Sequence, residues 1–237
     1  MATLAKSILE HPVWGTVVIT RNPRARRIVM RARHDSILMT VPLLATGKDI
    51  ERALEQCGEK LTQQMLKQKP ETIDTSYRIE SDNFNFGIAE HEHEKFLLRR
   101  NGNRFVLLCP EGTHFNGSNI QEWLRKVIRN TMAKVARAVL PQRLEALARK
   151  HGFSYSRCTL RDVHTRWGSC SSRGCINLSI YLMMLPDELV DYVILHELCH
   201  TVEMNHSERF WALLDKAVAP ARAKALRARL KGYSTRI

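Results

Sequence analysis

Two histidines four residues apart, His196 and His200, constrain this chain more than any other feature. An α-helix repeats every 3.6 residues, so imidazoles at positions i and i+4 stand on one face and can reach the same ion. Glu197 follows the first histidine and points away from the ligand line, where it can hold and deprotonate a water molecule. This spacing predicts a helical zinc site of the kind found in hydrolases.

A catalytic zinc usually takes three protein ligands, so a third must follow the pair. Glu203 is the nearest acidic residue, but on a continuous helix it would lie about 10 Å above His196. His206 is better placed if the helix ends first, with Asn205 in the left-handed conformation that a sharp reversal needs. We therefore predict one Zn²⁺ ion with three histidine ligands.

Residues that favour the start of a helix occur twice, once before the two histidines and once after the predicted reversal. Pro186 suits a first helical position, and Asp187 and Glu188 would stabilise the exposed amides of the first turn. After the reversal, Asn205 and Glu208 stand at the spacing of a capping box. The sequence thus predicts a helix, a tight turn and a second helix around the histidines.

Further motifs extend beyond the histidines, and they occur in a fixed order. They are Trp167-Gly168-Ser169-Cys170, Asn177-Leu178, Pro186, the run from Tyr192 to His200, and Asn205-His206-Ser207 followed by Phe210-Trp211. Together they resemble the YgjP-like metallopeptidases, relatives of the SprT and Wss-type zinc proteases. The resemblance implies a zincin-like, minimal gluzincin-type catalytic domain. It also implies zinc ligands at His196, His200 and His206. Glu197 would then be the catalytic base.

The predicted fold class is α+β in two parts. Residues 1–115 contain β-branched and alternating segments with one helical pattern, which predicts a β-rich N-terminal lobe. Residues 116–237 would form the catalytic domain, which ends in a basic amphipathic helix. Within it, Pro141 and Gly152 predict the ends of two successive helices. Two strands, 158–163 and 176–182, would precede the metal helix.

The charge of the chain is unusual, whereas its composition is that of an ordinary globular protein. A 237-residue chain that is 44% hydrophobic can build a core, but a formal net charge of +13 predicts attraction to polyanions. Arg24, Arg26 and Arg27 cluster near Pro23 and are candidate polyanion-binding residues. We found no signal-peptide pattern and no apolar run of membrane-spanning length, so we expect a cytoplasmic protein without membrane contact.

Hydrolysis of a peptide bond also needs a donor that holds the oxyanion. His164, Arg166 and Tyr181 are candidates, and the sequence does not choose among them. The preferred function is a zinc metallopeptidase acting on proteins or peptides. One alternative is a zinc-dependent nucleotide phosphohydrolase or pyrophosphatase, which would use the arginines for phosphate. A second alternative is a nucleic-acid-binding module with secondary or no hydrolysis.

Overall fold

The protein, seen in a computed structural model, has an α+β architecture, which confirms the predicted fold class. The structure describes residues 6–33, 36–68, 71–235 and 237, without the side chains of residues 67 and 68. The chain divides into two compact units, Met1–Glu71 and Thr72–Ile237. This division differs from the predicted boundary between residues 115 and 116.

The first unit is a four-stranded sheet with one helix. Its elements are β1 (Lys6–His11), β2 (Gly15–Arg21), β3 (Val29–Ala32), β4 (Ser36–Val41) and α1 (Gly47–Gln68). The strand order is β1-β2-β4-β3, with β2 and β4 parallel and both outer pairs antiparallel. Ile37, Met39 and Val41 of β4 are buried in turn, because alternate side chains of a strand point to the same face.

The second unit repeats this topology before it adds the elements that carry the site. Its first strands are β5 (Arg78–Ile79), β6 (Asn85–His91), β7 (Leu97–Asn101) and β8 (Arg104–Pro110). Their order is β5-β6-β8-β7, again with a parallel central pair and antiparallel outer pairs. In each unit a helix follows the fourth strand, α1 in the first and α2 (Ser118–His151) in the second.

One hydrophobic cluster joins the second sheet to helix α2. Phe84, Phe86 and Phe105 of the sheet region belong to the same buried cluster as Leu124 and Ile128 of α2. A shared core of this kind makes strands and helix one folding unit. It explains why the compact units separate after Glu71 and not at residues 115 and 116.

Helix α2 runs through Pro141, so the predicted break at this residue is wrong. A proline inside a helix removes one amide donor, and sequence reasoning therefore expects an end there. Leu140 and Leu144 on either side are fully buried, and this packing holds the helix together through the proline. Gly152, with a φ of 71°, ends α2 in the left-handed conformation, as the sequence predicts.

The remaining elements contain or flank the segment from His196 to His206. They are β9 (Arg157–Arg161), β10 (Gly168–Cys170), β11 (Cys175–Ser179), a 3₁₀ helix (Ile180–Met184), α3 (Asp187–Cys199), α4 (Glu208–Ala217) and α5 (Ala223–Leu230). The third sheet has the order β10-β11-β9. The predicted strand 176–182 stops at Ser179, whose side chain accepts a hydrogen bond from the Tyr181 amide and caps the 3₁₀ helix. Among the described helices, none is both long and apolar enough to cross a membrane.

Candidate metal centre

Helix α3 carries the motif, and its first turn is fixed by a residue of α2. The Arg143 side chain donates to the carboxylates of Asp187 and Asp191 and, at 2.9 Å, to the Asp187 carbonyl. Burial opposes ionisation of Asp187, but the hydrogen bonds from Arg143 and Asn83 outweigh it and lower the pKa of the carboxyl. The anchored, largely buried helix gives the motif side chains a rigid base.

The chain reverses directly after α3. The helix ends at Cys199, with His200 as the C-cap, and the amides of Val202 and Glu203 both donate to the Cys199 carbonyl at 3.0 and 2.9 Å. Asn205 does not adopt a left-handed conformation, so this part of the prediction is wrong. Successive hydrogen-bonded turns make the reversal without a positive φ.

Ser207, and not Asn205, caps the following helix α4. The Ser207 hydroxyl accepts a hydrogen bond from the Phe210 amide at 3.4 Å, which leaves His206 as the last residue before the cap. A serine is a favourable cap at this position. The spacing of Asn205 and Glu208 predicted a cap two residues too early. The cap fixes the place where His206 returns towards α3.

The three histidines come together at this reversal. One nitrogen from each of His196, His200 and His206 lies within 4.8 Å of the other two. The Nε2 atoms of His196 and His206 are 3.1 Å apart. Two nitrogens bound to one tetrahedral zinc at about 2.05 Å lie about 3.3 Å apart. The spacing of these side chains therefore fits a zinc ion.

In the part of the chain that the structure describes, the second ring nitrogen has a hydrogen-bond partner in His200 but not in His196. The Glu203 backbone carbonyl lies 3.0 Å from His200 Nδ1 and can accept its proton, which leaves Nε2 of that ring for a metal. His196 Nδ1 is buried and has no hydrogen-bond partner among the described residues. A buried unpaired nitrogen costs about 1–3 kcal/mol and is typical of functional sites rather than of ordinary cores.

Phe210 of α4 supports all three rings. Its ring centroid lies 4.9 Å from that of His196, 4.5 Å from that of His200 and 4.8 Å from that of His206. Phe210 is fully buried, so it forms a rigid apolar wall against the imidazoles. In the sequence, Phe210 belongs to the last of the motifs that resemble the family, but no local pattern indicates that it contacts the histidines.

The surroundings favour the neutral form of His196 and of His206. Burial, together with the positive charges that His200, His206 and Arg227 can carry, lowers the pKa of His196 to about 3. Burial, followed by His200 and Arg227, also lowers the pKa of His206. Only a neutral imidazole offers a lone pair to a metal, so this environment favours metal binding at neutral pH.

Glu197 is buried beside the histidines, with 6% of its surface exposed. Burial raises the pKa of its carboxyl to about 8, and the positive charge of Arg166 opposes this shift. A cation bound nearby would lower the pKa again. A Cβ atom on Gly168 of β10 would lie 2.7 Å from both Cγ and Oε1 of Glu197. The absence of a side chain at Gly168 therefore makes room for the carboxylate.

A cavity of about 290 Å³ opens over these residues, and we call it the site cavity. Glu197, His196 and His206 line it together with Gly168 and Arg166. Of the three residues predicted as oxyanion donors, only Arg166 lines this cavity.

The other two predicted donors lie elsewhere. Tyr181 is 3% exposed, and its hydroxyl donates to Asp162 at 2.9 Å. The His164 carbonyl accepts a hydrogen bond from Thr235, and the His164 side chain does not line the site cavity. His164 lies in the loop between β9 and β10, and Tyr181 lies in the 3₁₀ helix, and no local pattern predicts either position.

Sequence reasoning missed two polar residues of the site cavity, Tyr192 and Arg227. Tyr192 stands four residues before His196 on the same face of α3, and this spacing could have found it. Arg227 lies on α5, and no sequence signal connects that helix to the motif. Arg24, Arg26 and Arg27 lie exposed in the loop between β2 and β3 of the first unit, where polyanion binding stays a prediction.

A helix and a reversed turn gather three histidines beside a buried glutamate within an α+β unit, an arrangement typical of metal-dependent hydrolases. The family comparison is more specific. The YgjP-like metallopeptidase domain matches residues 26–233, and the chain belongs to this family. A metallopeptidase family implies a catalytic metal, and the three histidines fit one.

Two solved structures are similar to part of the chain. The metallopeptidase zymogen abylysin of Pyrococcus abyssi is 25% identical, with a TM-score of 0.36, over 40% of this chain and 93% of its own. The metallopeptidase zymogen jannalysin of Methanocaldococcus jannaschii is 18% identical, with a TM-score of 0.35, over 39% of this chain and 93% of its own. No curated protein matches the sequence.

Proposed function

We propose that the protein is a zinc-dependent metallopeptidase in which His196, His200 and His206 hold the ion and Glu197 is the general base. The observation that carries this proposal is the buried carboxylate of Glu197, which lines one cavity with His196 and His206. Membership of a metallopeptidase family supports a protein or peptide substrate.

In this mechanism a bound zinc ion supplies a Lewis acid that polarises the peptide carbonyl and acidifies a water molecule. Glu197 takes the proton of the attacking water and passes it to the leaving amine. Phe210 packs against the three imidazole rings, and Gly168 leaves the space that the Glu197 carboxylate occupies. Burial of Glu197 excludes bulk water from this transfer.

Arg166 is the proposed donor to the oxyanion. It lines the site cavity, and its positive charge lowers the pKa of Glu197, whereas burial raises it. A guanidinium presents several donors in a fixed plane and stays charged at any working pH. It therefore suits a negative charge that develops only in the transition state.

The phosphohydrolase and nucleic-acid-binding alternatives rest on the net positive charge and on the arginine cluster. Membership of a metallopeptidase family supports neither of them. Zinc chemistry can hydrolyse phosphate esters, however, so the decisive experiment must offer both substrates to the same protein.

The test is turnover by the zinc-loaded full chain on unfolded proteins and, in parallel, on nucleoside triphosphates. We expect proteolysis that falls about 10²- to 10⁴-fold in Glu197→Gln while zinc content is unchanged. Glu203→Gln is the matched control, since Glu203 contacts His200 through its backbone only, and it should cleave normally. Phosphate release without proteolysis, or full proteolysis by Glu197→Gln, would refute the proposal.

A further inference from the structure

A second cavity of about 330 Å³ adjoins the site cavity, since Arg166 and Gly168 line both. The second cavity lies over the third sheet, where Ser169 of β10 and Asn177 of β11 contribute polar side chains. We call the two cavities together the cleft. A cleft longer than the catalytic residues themselves has room for chain on either side of the reacting bond.

The lining of the cleft is positively charged. Three arginines contribute, with Arg227 in the site cavity, Arg161 in the second cavity and Arg166 shared by both. Among the described residues, Glu197 is the only acidic one that lines either cavity, and it is buried. The charged residues that a substrate meets at the surface of the cleft are therefore cationic.

Within the described part of the chain, none of the three arginines forms a salt bridge. Arg227 lies over the Trp211 ring at 5.4 Å, and Arg161 Nε donates weakly to the Asn177 side chain at 3.4 Å. Arg229, two residues further along α5, is by contrast paired with Glu188. Among the described residues, the fold thus pairs an arginine outside the cleft with a carboxylate and leaves Arg161 and Arg227 without a salt bridge, while Arg166 faces Glu197.

We propose that this cleft selects peptide segments that carry a carboxylate close to the reacting bond, an inference that rests on the proposed peptidase function. A guanidinium binds a carboxylate through two parallel hydrogen bonds, and a concave cationic surface attracts anions. Arg227 and Arg161, at opposite parts of the cleft, are the specificity residues. The carboxylate can belong to an acidic side chain or to the C-terminus of the substrate.

Binding to the full-length Glu197→Gln variant tests the inference without turnover. Three fluorescently labelled peptides of one sequence are compared by anisotropy: one with two glutamates and an amidated end, one with glutamines and an amidated end, and one with glutamines and a free C-terminal carboxylate. We expect a carboxylate peptide to bind about tenfold more tightly than the neutral peptide. Preference for the first peptide assigns the carboxylate to a side chain, and preference for the third assigns it to the chain end.

Charge-matched variants test whether the cleft causes the preference for carboxylate peptides. Arg227→Gln and Arg161→Gln, each added to Glu197→Gln, should remove most of the preference. Lys224→Gln removes one charge from the exposed side of α5, and Arg157→Gln removes one from the start of β9, both outside the cleft. Both should retain the preference. Equal affinity for all three peptides, or an equal loss in the control variants, would overturn the inference.

Cleavage of the same peptides by the zinc-loaded wild-type protein separates this inference from the proposed function. A carboxylate-dependent affinity without any cleavage would refute the peptidase and leave the cleft as an acidic-peptide site. Cleavage of all three peptides with equal kcat/KM and equal affinity would leave the peptidase and refute the selectivity.

Discussion

Gly168 is the residue whose missing side chain matters most to Glu197. A Cβ atom there would approach the glutamate side chain to 2.7 Å, closer than van der Waals contact allows. We expect Gly168→Ala to displace the carboxylate and lower peptide turnover roughly a hundredfold, because a displacement of about 1 Å is enough to disrupt catalysis. Peptide cleavage and zinc content of the purified variant measure the effect.

Gly47→Ala is the control for this substitution. Nothing lies within 4 Å of a Cβ atom at Gly47, so turnover should be unchanged. Full activity of Gly168→Ala would contradict the close fit between β10 and Glu197. Loss of zinc together with activity would place the damage in the histidines instead.

His206 and Glu203 offer a direct comparison of two possible ligands. His206 Nε2 faces His196 Nε2, whereas Glu203 meets His200 through its backbone carbonyl. We expect His206→Ala to lower zinc affinity at least tenfold and Glu203→Ala to leave it nearly unchanged, since the carbonyl remains. Competition titration with a chromogenic chelator measures both affinities. The reverse order would transfer the ligand role to Glu203.

At the scale of single residues, the sequence predicts the positions of those side chains that lie on one helix, because helical periodicity determines them. His196, His200 and Glu197 have positions that follow from one helix, and the turn needed to return His206 is short. Arg227 and Gly168 reach the same cavity from a distant helix and from a separate strand. Their positions depend on tertiary packing, and no local pattern in the sequence contains that information.

At the scale of elements, Arg143 connects α2 to the first turn of α3. Its side chain is 19% exposed and pairs with Asp187 and Asp191. We expect Arg143→Met to lower the free energy of unfolding by about 1–3 kcal/mol, less than for a fully buried pair because both carboxylates are partly solvated. Arg149→Met, which breaks an exposed pair with Glu145 on the same helix, should have almost no effect. Chemical denaturation compares the two variants.

The same connection predicts a dependence of stability on pH. The pKa of Asp187 in the folded protein lies below its ordinary value of 3.8, since hydrogen bonds from Arg143 and Asn83 outweigh burial. Its contribution is therefore complete above pH 3.8 and is lost as the pH falls through the lower folded pKa. The Tm should fall less steeply on acidification below pH 4 in Arg143→Met than in the wild type. Parallel curves would contradict this assignment.

Element boundaries show where sequence reasoning fails. Pro141 and Asn205 each have a strong local preference, for a helix end and for a left-handed turn. Buried neighbours keep α2 intact at Pro141, and hydrogen bonds to the Cys199 carbonyl complete the reversal before Asn205. In both places packing and hydrogen bonding outweigh a single-residue propensity.

At the scale of the whole molecule, zinc should couple to stability. A ligand that binds only the folded chain stabilises it by about 4 kcal/mol at a thousandfold excess over its Kd. We expect zinc to raise the Tm of the chelator-treated protein, because the histidine nitrogens converge only in the fold. Magnesium, which prefers oxygen ligands, should not. An equal shift with both ions, measured by scanning calorimetry, would argue against an imidazole site.

The two units repeat one sheet topology, but we expect them to tolerate amino-acid substitutions unequally. Among the described residues, the hydrophobic cluster of the second sheet includes residues of α3 and Phe210, whereas that of the first sheet contains residues of the first unit. Substitutions in the second copy therefore act on the core that supports the histidines, and those in the first copy act on the core of their own unit. Over evolutionary time we expect sequences of the first copy to diverge faster among relatives, while the second copy accumulates changes only as fast as the site tolerates them.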